Sequence, residues 1–296
     1  MHRSKVIATF RPPFLLLTPI CVALGLALAM FNATETDYLL VVVALVGALS
    51  AHISVNTLNE YFDFKSGLDL QTTKTPFSGG SGALPEHPEL AWLTLIIGLV
   101  TLLFTVLVGG YFIHRLGMII FPIGLLGVMI ILTYTQWLNR NPVLCLLSAG
   151  LGFGFLMVVG TYVVLAGSYH NLAWWVALVP FLLVNNLLLL NQYPDMQADR
   201  AVGRRTFPIV FGITASNLVY ALFMVAAYGV VLVLVQQKLL PTFSLIALIP
   251  AFLALFSLAG AIKYGEDIAQ VPKFMAANVA AALLTPLLLA VSLVIS

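Results

Sequence analysis

Nine stretches of the chain, each close to 20 residues and nearly free of charge, leave it one kind of architecture. They fall at about 13–32, 38–58, 91–112, 116–135, 143–166, 172–191, 215–236, 242–263 and 274–295. A helix needs roughly 20 apolar residues to cross a bilayer. Within hydrocarbon, every backbone polar group must find its partner inside the protein, which favours helices. The sequence therefore predicts an all-α, polytopic membrane protein with nine transmembrane helices. Composition agrees, because only 8% of the residues are charged where soluble domains carry about 25%. No basic tract with interleaved aromatics is present, which argues against nucleic acid as a partner. Cys21 and Cys145 both lie in apolar runs and suggest neither a disulfide framework nor a thiolate metal site. The basic start, Met1 to Pro13, leads into a long apolar run without a small-residue cleavage site. It is read as a retained first helix and not a removed signal peptide.

Basic residues set the expected orientation. With nine spans, Arg3, Lys5, Arg11, Lys65, Lys74, Arg140, Arg200, Arg204, Arg205, Lys263 and Lys273 share one side, and only Arg115 and Lys238 lie on the other. The N-terminus and the two long connections, about 59–90 and 192–214, are expected to be cytoplasmic, with the C-terminus outside a cell (inner) membrane.

The unusual chemistry falls in those two connections. Five of the eleven acids are Glu60, Asp63, Asp69, Asp195 and Asp199, clustered at two helix ends. In the second span His52, Asn56, Asn59 and Asp63 follow at steps of four, three and four, a single polar stripe on an apolar helix. Such a stripe faces the protein interior, because polar groups towards lipid are costly. Gly67 offers a break that returns Asp69 to the same side. After the Leu187–Leu190 run, Asn191, Asp195 and Asp199 stand four apart and would share one face of a continuous helix. Asn59 and Asn191 are 132 positions apart, with four expected crossings between them, which suggests a duplicated four-helix unit.

An Asn or His in a membrane helix commonly just bonds a neighbouring helix, and that is the reading for His52, Asn56, Asn185 and Asn186. Five acids in two matched clusters instead call for a cation. The donors are oxygens, with no Cys or His cluster, so magnesium suits them better than zinc. Lys74, Arg140, Arg204 and Arg205 could neutralise phosphates, although the cytoplasmic positive bias alone also accounts for them. The Ser78–Gly82 run matches no phosphate-loop pattern and is read as a flexible connection.

Asn59-Glu60-x-x-Asp63 with Gly67 and Asp69, and Asn191-x-x-x-Asp195-x-x-x-Asp199 with Gly203-Arg204-x-Thr206, resemble the paired aspartate-rich motifs of the UbiA superfamily of intramembrane prenyltransferases. Arg11-Pro12 entering the first helix and Tyr134-Thr135 ending the fourth extend the resemblance over most of the chain, as one domain of residues 1–296. The resemblance implies a reaction: two magnesium ions grip a prenyl diphosphate, the diphosphate leaves, and an acceptor, often aromatic, attacks the allylic cation. By position, Asn59, Asp63 and Asp69 would serve one magnesium and Asn191, Asp195 and Asp199 the other, with Asp63, Asp195 and Asp199 essential to catalysis. Lys74, Arg204 and Arg140 would touch the diphosphate. Tyr134, Tyr162 and Asn56 would line the prenyl and acceptor pocket. The partners so implied are a prenyl diphosphate, a small acceptor and membrane lipid.

Among branches, the motif is most similar to the 1,4-dihydroxy-2-naphthoate polyprenyltransferases of menaquinone synthesis. It departs from them at Glu60, usually Asp; at Phe153, usually an acid; and at Asn191-Gln192-Tyr193-Pro194, usually Asn-Asn-x-Arg. Three other readings compete. A secondary transporter would place its polar groups at the midplane on broken helices, whereas these acids sit at helix ends. A membrane phosphotransferase shares Asp-x-x-x-Asp but lacks the residues expected ahead of it. A terpene cyclase of the same superfamily fits the motifs equally.

Overall fold

A computed structural model describes residues 2–32, 35–72 and 74–296; the side chains of residues 2 and 3 lie outside it, and with them Arg3 of the charge bias. Among the described residues every regular element is helical. After a short helix, His2–Ala8, the chain runs through α1 (Pro12–Phe31), α2 (Tyr38–Ser66), α3 (Ala91–Leu116), α4 (Phe121–Thr133) and α5 (Pro142–Ala166). It continues through α6 (Asn171–Asn191), the short α7 (Met196–Ala201), α8 (Phe207–Gln236), α9 (Ala251–Tyr264) and α10 (Lys273–Ile295). Local chemistry starts these helices. Asp37 caps α2 by accepting from the Leu39 and Leu40 amides, and Asn141 caps α5 ahead of Pro142.

Each expected apolar run is helical, but the count differs. Among the described residues eight stretches, not nine, are long and apolar enough to cross a membrane. The third and fourth expected runs are joined in one stretch of 46 residues, Pro88–Thr133. Straight, that stretch would measure about 70 Å, over twice the hydrocarbon thickness. It is not straight. Gly117, at φ 76° and ψ −163°, ends α3, and α4 packs back against α2 and α3. At 13 residues α4 is too short to count by itself.

Burial orders the bundle. The most apolar window of α6 is 72% buried and that of Pro88–Thr133 only 17%, so α6 is the central post and α3–α4 the outer wall. Asn185 and Asn186 of α6 hold neighbours, as packing residues do: Asn185 Oδ1 accepts from the Gly150 amide at 2.7 Å, and Asn186 Nδ2 donates to the Tyr220 carbonyl at 2.9 Å. Against α6, α5 widens into a π-helical segment, Leu151–Val159. The two backbones touch there. A Cβ on Gly150 would lie 2.2 Å from the Phe181 carbonyl oxygen, and one on Gly154 2.7 Å from that of Ala177. Such π segments recur at functional sites, and the opposite face of this one borders the cavity described next.

Candidate active site

An elongated slot of about 410 Å³ runs between α1, α2, α3, α4, α5 and α6. On α2 its wall extends from Asp63 to Ala44, nineteen residues or about 28 Å. Most of the wall is apolar: Ala48 and Gly47 from α2, Val108 and Phe112 from α3, Ile123 and Ile131 from α4, Leu156 from the π segment. The charged residues gather at the Asp63 end.

The first motif is built as its spacing predicts. The α2 helix carries Asn56, Asn59 and Asp63 onto the slot wall. Gly67 then takes the left-handed conformation (φ 79°, ψ 5°), and one 3₁₀ turn, Leu68–Leu70, swings Asp69 back to the same wall. Asn56 Nδ2 donates to the Phe10 carbonyl at 2.8 Å, and Asn59 Nδ2 to Thr135 Oγ1 at 3.2 Å.

The second motif corrects the expectation of one continuous helix. The α6 helix stops at Asn191, residues 192–195 form a turn, and α7 begins at Met196. Pro194 is the physical reason, since it lacks an amide donor and disfavours helix at the residue before it. Asn191, Asp195 and Asp199 still line the slot, but from three consecutive pieces of backbone and not one helical face. The turn also gives the Gln192-Tyr193-Pro194 departure a structure. Gln192 reaches into the slot wall, with Nε2 3.4 Å from Cys145 Sγ, while Tyr193 is fully buried with its hydroxyl donating to Asn217 Oδ1 at 2.9 Å. The two acidic ends are therefore dissimilar in backbone.

Two arginines join the acids. Arg204 bonds Asp63 through Nη2 and Asp199 Oδ1 through Nη1, the latter at 3.0 Å, and so ties the first motif to the second. Arg11 donates from Nε to Glu60 Oε1 at 2.8 Å and from Nη2 to Asn59 Oδ1 at 3.2 Å. The Ser78–Gly82 run, expected to be a flexible connection, packs onto the acids: the Gly79 amide donates to Asp195 Oδ2 at 3.0 Å and the Ser81 amide to Glu60 Oε1 at 2.9 Å. Backbone amides of such a turn suit anions, and here the anions are the protein's own carboxylates.

The electrostatics are unbalanced. Glu60, Asp63, Asp69, Asp195 and Asp199 share two guanidiniums. Burial, then Glu60 and Asp63, raise the Asp69 carboxyl to about 8. Burial and then Asp199 raise Asp195 to about 7, against the pull of the Gly79 amide. Burial also raises Asp199, and Arg204 opposes it. Burial pulls the Arg204 guanidinium down, but Asp63 and Asp199 together outweigh it and the net shift is upward. Arg11 behaves alike: burial pulls it down, and Glu60, Asp63 and Asp69 together outweigh that.

A hard cation fits this end. Nine buried side-chain atoms among the described residues have no hydrogen-bond partner, and five of them lie on the slot wall: Asp69 Oδ2, Asn139 Oδ1, Asn191 Oδ1, Gln192 Oε1 and Thr206 Oγ1. All five are oxygens, the donor type that magnesium prefers. Among the described residues no group of three or more His, Cys, Asp or Glu forms a metal site by itself. A cation here would complete its shell with amide oxygens, water or substrate phosphate, as magnesium usually does.

Nine of the twelve residues expected at the site lie on the slot wall: Asn56, Asn59, Asp63, Asp69, Tyr134, Asn191, Asp195, Asp199 and Arg204. Three do not. Lys74 is exposed and lies over Gly82, and Arg140 is exposed as the last residue of a 3₁₀ turn, Leu138–Arg140. Tyr162 is buried off the slot wall, although Thr161 and Val164 of the same helix line it, and its hydroxyl accepts from Asn32 Nδ2 at 3.0 Å. Arg11, Gln192 and Asn139 line the slot without having been singled out as site residues. Of these, Arg11 carried a sequence signal as part of Arg11-Pro12, and Gln192 as part of the Asn191-Gln192-Tyr193-Pro194 departure.

The family model of the UbiA prenyltransferase family matches residues 16–293. The chain is 29% identical over 226 residues to the 1,4-dihydroxy-2-naphthoate octaprenyltransferase of Bacillus subtilis (strain 168), covering 75% of this chain and 70% of that one. The apo structure of a UbiA homolog from Aeropyrum pernix K1 superposes with a TM-score of 0.67 at 12% identity, over 95% of this chain and 97% of that one. A UbiA homolog from Archaeoglobus fulgidus bound to DMAPP and Mg²⁺ gives a TM-score of 0.56 at 15% identity, over 94% and 99%. At these identities the two structural likenesses carry the fold alone.

Proposed function

Because the chain belongs to the UbiA prenyltransferase family, and is therefore a membrane prenyltransferase, we propose that its slot joins a prenyl diphosphate to an aromatic acceptor of the 1,4-dihydroxy-2-naphthoate type. One observation carries the reading: buried acids, two arginines and five partnerless oxygens gather at one end of an otherwise apolar slot. A diphosphate belongs at that end and a prenyl tail along the rest.

In this reading Asn59, Asp63 and Asp69 hold one magnesium ion, and Asn191, Asp195 and Asp199 a second. Bound magnesium would draw charge from the diphosphate oxygens and share them with water in its shell. Arg204 spends two of its five donors on acids, and the rest are free for phosphate oxygens. Arg11 takes the place on the opposite side that Lys74 and Arg140 were expected to fill. The bond between the prenyl C1 and the diphosphate oxygen breaks with its electron pair on oxygen, and the guanidiniums stabilise that charge. Tyr134 and Phe153 on the slot wall offer aromatic faces to the allylic cation. A ring carbon of the acceptor supplies the pair for the new bond, and the ring then loses its proton.

The naphthoate acceptor rests on the motif spacing and on the Bacillus subtilis relative. The Pro88–Thr133 stretch crosses twice in this reading, giving nine crossings of a cell (inner) membrane with the acidic end cytoplasmic. The whole chain acts as one catalytic domain, and the 132-residue echo of Asn59 in Asn191 supports descent from a repeated four-helix unit.

The test uses purified protein with prenyl diphosphates and a panel of aromatic acceptors. Prenylated product by mass spectrometry is expected only with magnesium and acceptor present. Asp63→Ala and Asp195→Ala are each expected to lower turnover by about 10²-fold or more. Wild-type turnover in either variant would sink the site assignment. Diphosphate release without any acceptor would favour a cyclase, and substrate uptake without turnover a transporter.

A further inference from the structure

Two helical turns into the slot from Asn59 stands an imidazole for which the reaction above has no use. His52, on α2, is 4% exposed and lines the slot. Its ring is held firmly. Nδ1 lies 2.8 Å from Thr18 Oγ1 of α1, and Phe153 of the π segment meets the ring edge-on with centroids 4.8 Å apart.

The contact with Thr18 fixes where the ring proton sits. Thr18 is fully buried, and His52 is the one hydrogen-bond partner of its hydroxyl among the described residues. A buried hydroxyl proton that is donated nowhere is costly, so Thr18 donates and Nδ1 accepts. A neutral imidazole then carries its proton on Nε2. That nitrogen has no hydrogen-bond partner among the described residues, yet it is not among the enclosed atoms that lack one. It is open to the slot.

The surroundings restrict what this N–H can meet. Ala48, Ala51, Val55, Phe153 and Leu156 share the wall, and Asn56, one turn nearer the acids, gives its amide to Phe10. A prenyl tail has no oxygen to accept a hydrogen bond. The diphosphate belongs with the acids, and Asn59 is already about 10 Å away along α2. A donor in an apolar wall is compensated only by a ligand that brings an acceptor atom.

We propose that His52 donates its Nε2–H to a hydroxyl or carbonyl oxygen of the aromatic acceptor and so determines which acceptors are used. This rests on the prenyl-transfer reading and deepens it. A site built around such a bond rejects analogues that lack the oxygen.

Two substitutions separate this from a packing role. His52→Asn keeps an amide near the Nδ1 position, where it can still bond Thr18. His52→Gln places an amide N–H near the Nε2 position. Full-length protein is assayed with magnesium, a prenyl diphosphate, a dihydroxynaphthoate and analogues missing one oxygen each. The wild type is expected to lose about tenfold or more in kcat/KM with one of those analogues. His52→Asn is expected to lose about as much with the full acceptor and to stop discriminating, with KM for the prenyl diphosphate unchanged. His52→Gln is expected to stay within about threefold of wild type. His52→Asn at wild-type rates, KM values rising together for both substrates, or a wild type indifferent to every oxygen would each overturn the proposal. The last arm needs no variant to fold. A wild type that prenylates no aromatic acceptor would remove the proposed function and the role of His52 together; an active, unimpaired His52→Asn removes only the second.

Discussion

Arg204 holds together two acids that the sequence separates by more than a hundred positions. One nitrogen bonds Asp63 and another Asp199, at a side-chain exposure of 16%. A planar fork of fixed donors serves two carboxylates at once from one position. Arg204→Met would leave both acids buried without their cation, a loss of about 3–5 kcal/mol when one partner of a buried pair is removed. Arg204→Lys restores the charge but not the fork. Thermal unfolding in detergent without magnesium is therefore expected to rank wild type above Lys and Lys above Met. Equal melting of all three would mean that the guanidinium does not bridge the motifs. The same residues mark the limit of what a sequence tells at this scale. Asn59, Asp63 and Asp69 could be recognised because residue type and spacing sit within one short segment. Arg11 could not be ranked above Lys74 or Arg140, because its partner Glu60 lies 49 positions away and only the fold brings them together.

At the scale of elements, apolar length was legible and backbone breaks were not. Every run of about 20 apolar residues became helix, since hydrocarbon leaves the backbone few alternatives. The stop at Asn191 turned on Pro194, and the return of the Ser78–Gly82 run turned on acids it meets across the site. The π segment follows from the close approach of α5 to α6, a contact that periodicity does not encode. The reversal at Gly117 has a direct test. If α3 and α4 each cross, Arg115 and Lys238 lie on the face opposite Lys74 and Arg140. Cys21 and Cys145 are both buried, so single cysteines introduced at these four positions can be read against a low background. A membrane-impermeant thiol reagent added to intact cells is expected to label positions 115 and 238 and to spare 74 and 140 until the membrane is opened. Labelling that separates 74 from 140 would reduce the crossings to eight.

For the molecule as a whole, the apolar exterior and the acidic slot impose opposite demands. Trp92, Leu103, Leu107, Leu125 and Met129 are exposed on the outer wall, as a lipid-facing surface requires. Inside, five carboxyls share two guanidiniums where water does not screen them. Burial first, and the neighbouring acids second, push protons back on and raise the Asp69 and Asp195 carboxyls above the ordinary aspartate range. The folded protein therefore carries a deficit of positive charge that a cation can relieve. A diphosphate arriving alone would deepen it, and one arriving with magnesium would not. Magnesium alone is thus expected to raise the melting temperature, inorganic diphosphate alone to leave it unchanged, and the two together to raise it most. A ligand at a hundredfold excess over its Kd contributes about 2.7 kcal/mol, a shift that a melting curve resolves. Asp195→Asn removes one repelling charge without breaking an ion pair, so the same physics predicts a variant that melts higher than wild type without ligand and gains less from magnesium. If diphosphate stabilised the protein equally in the presence of a chelator, the acids would have to be structural anions, neutralised by Arg11 and Arg204 alone.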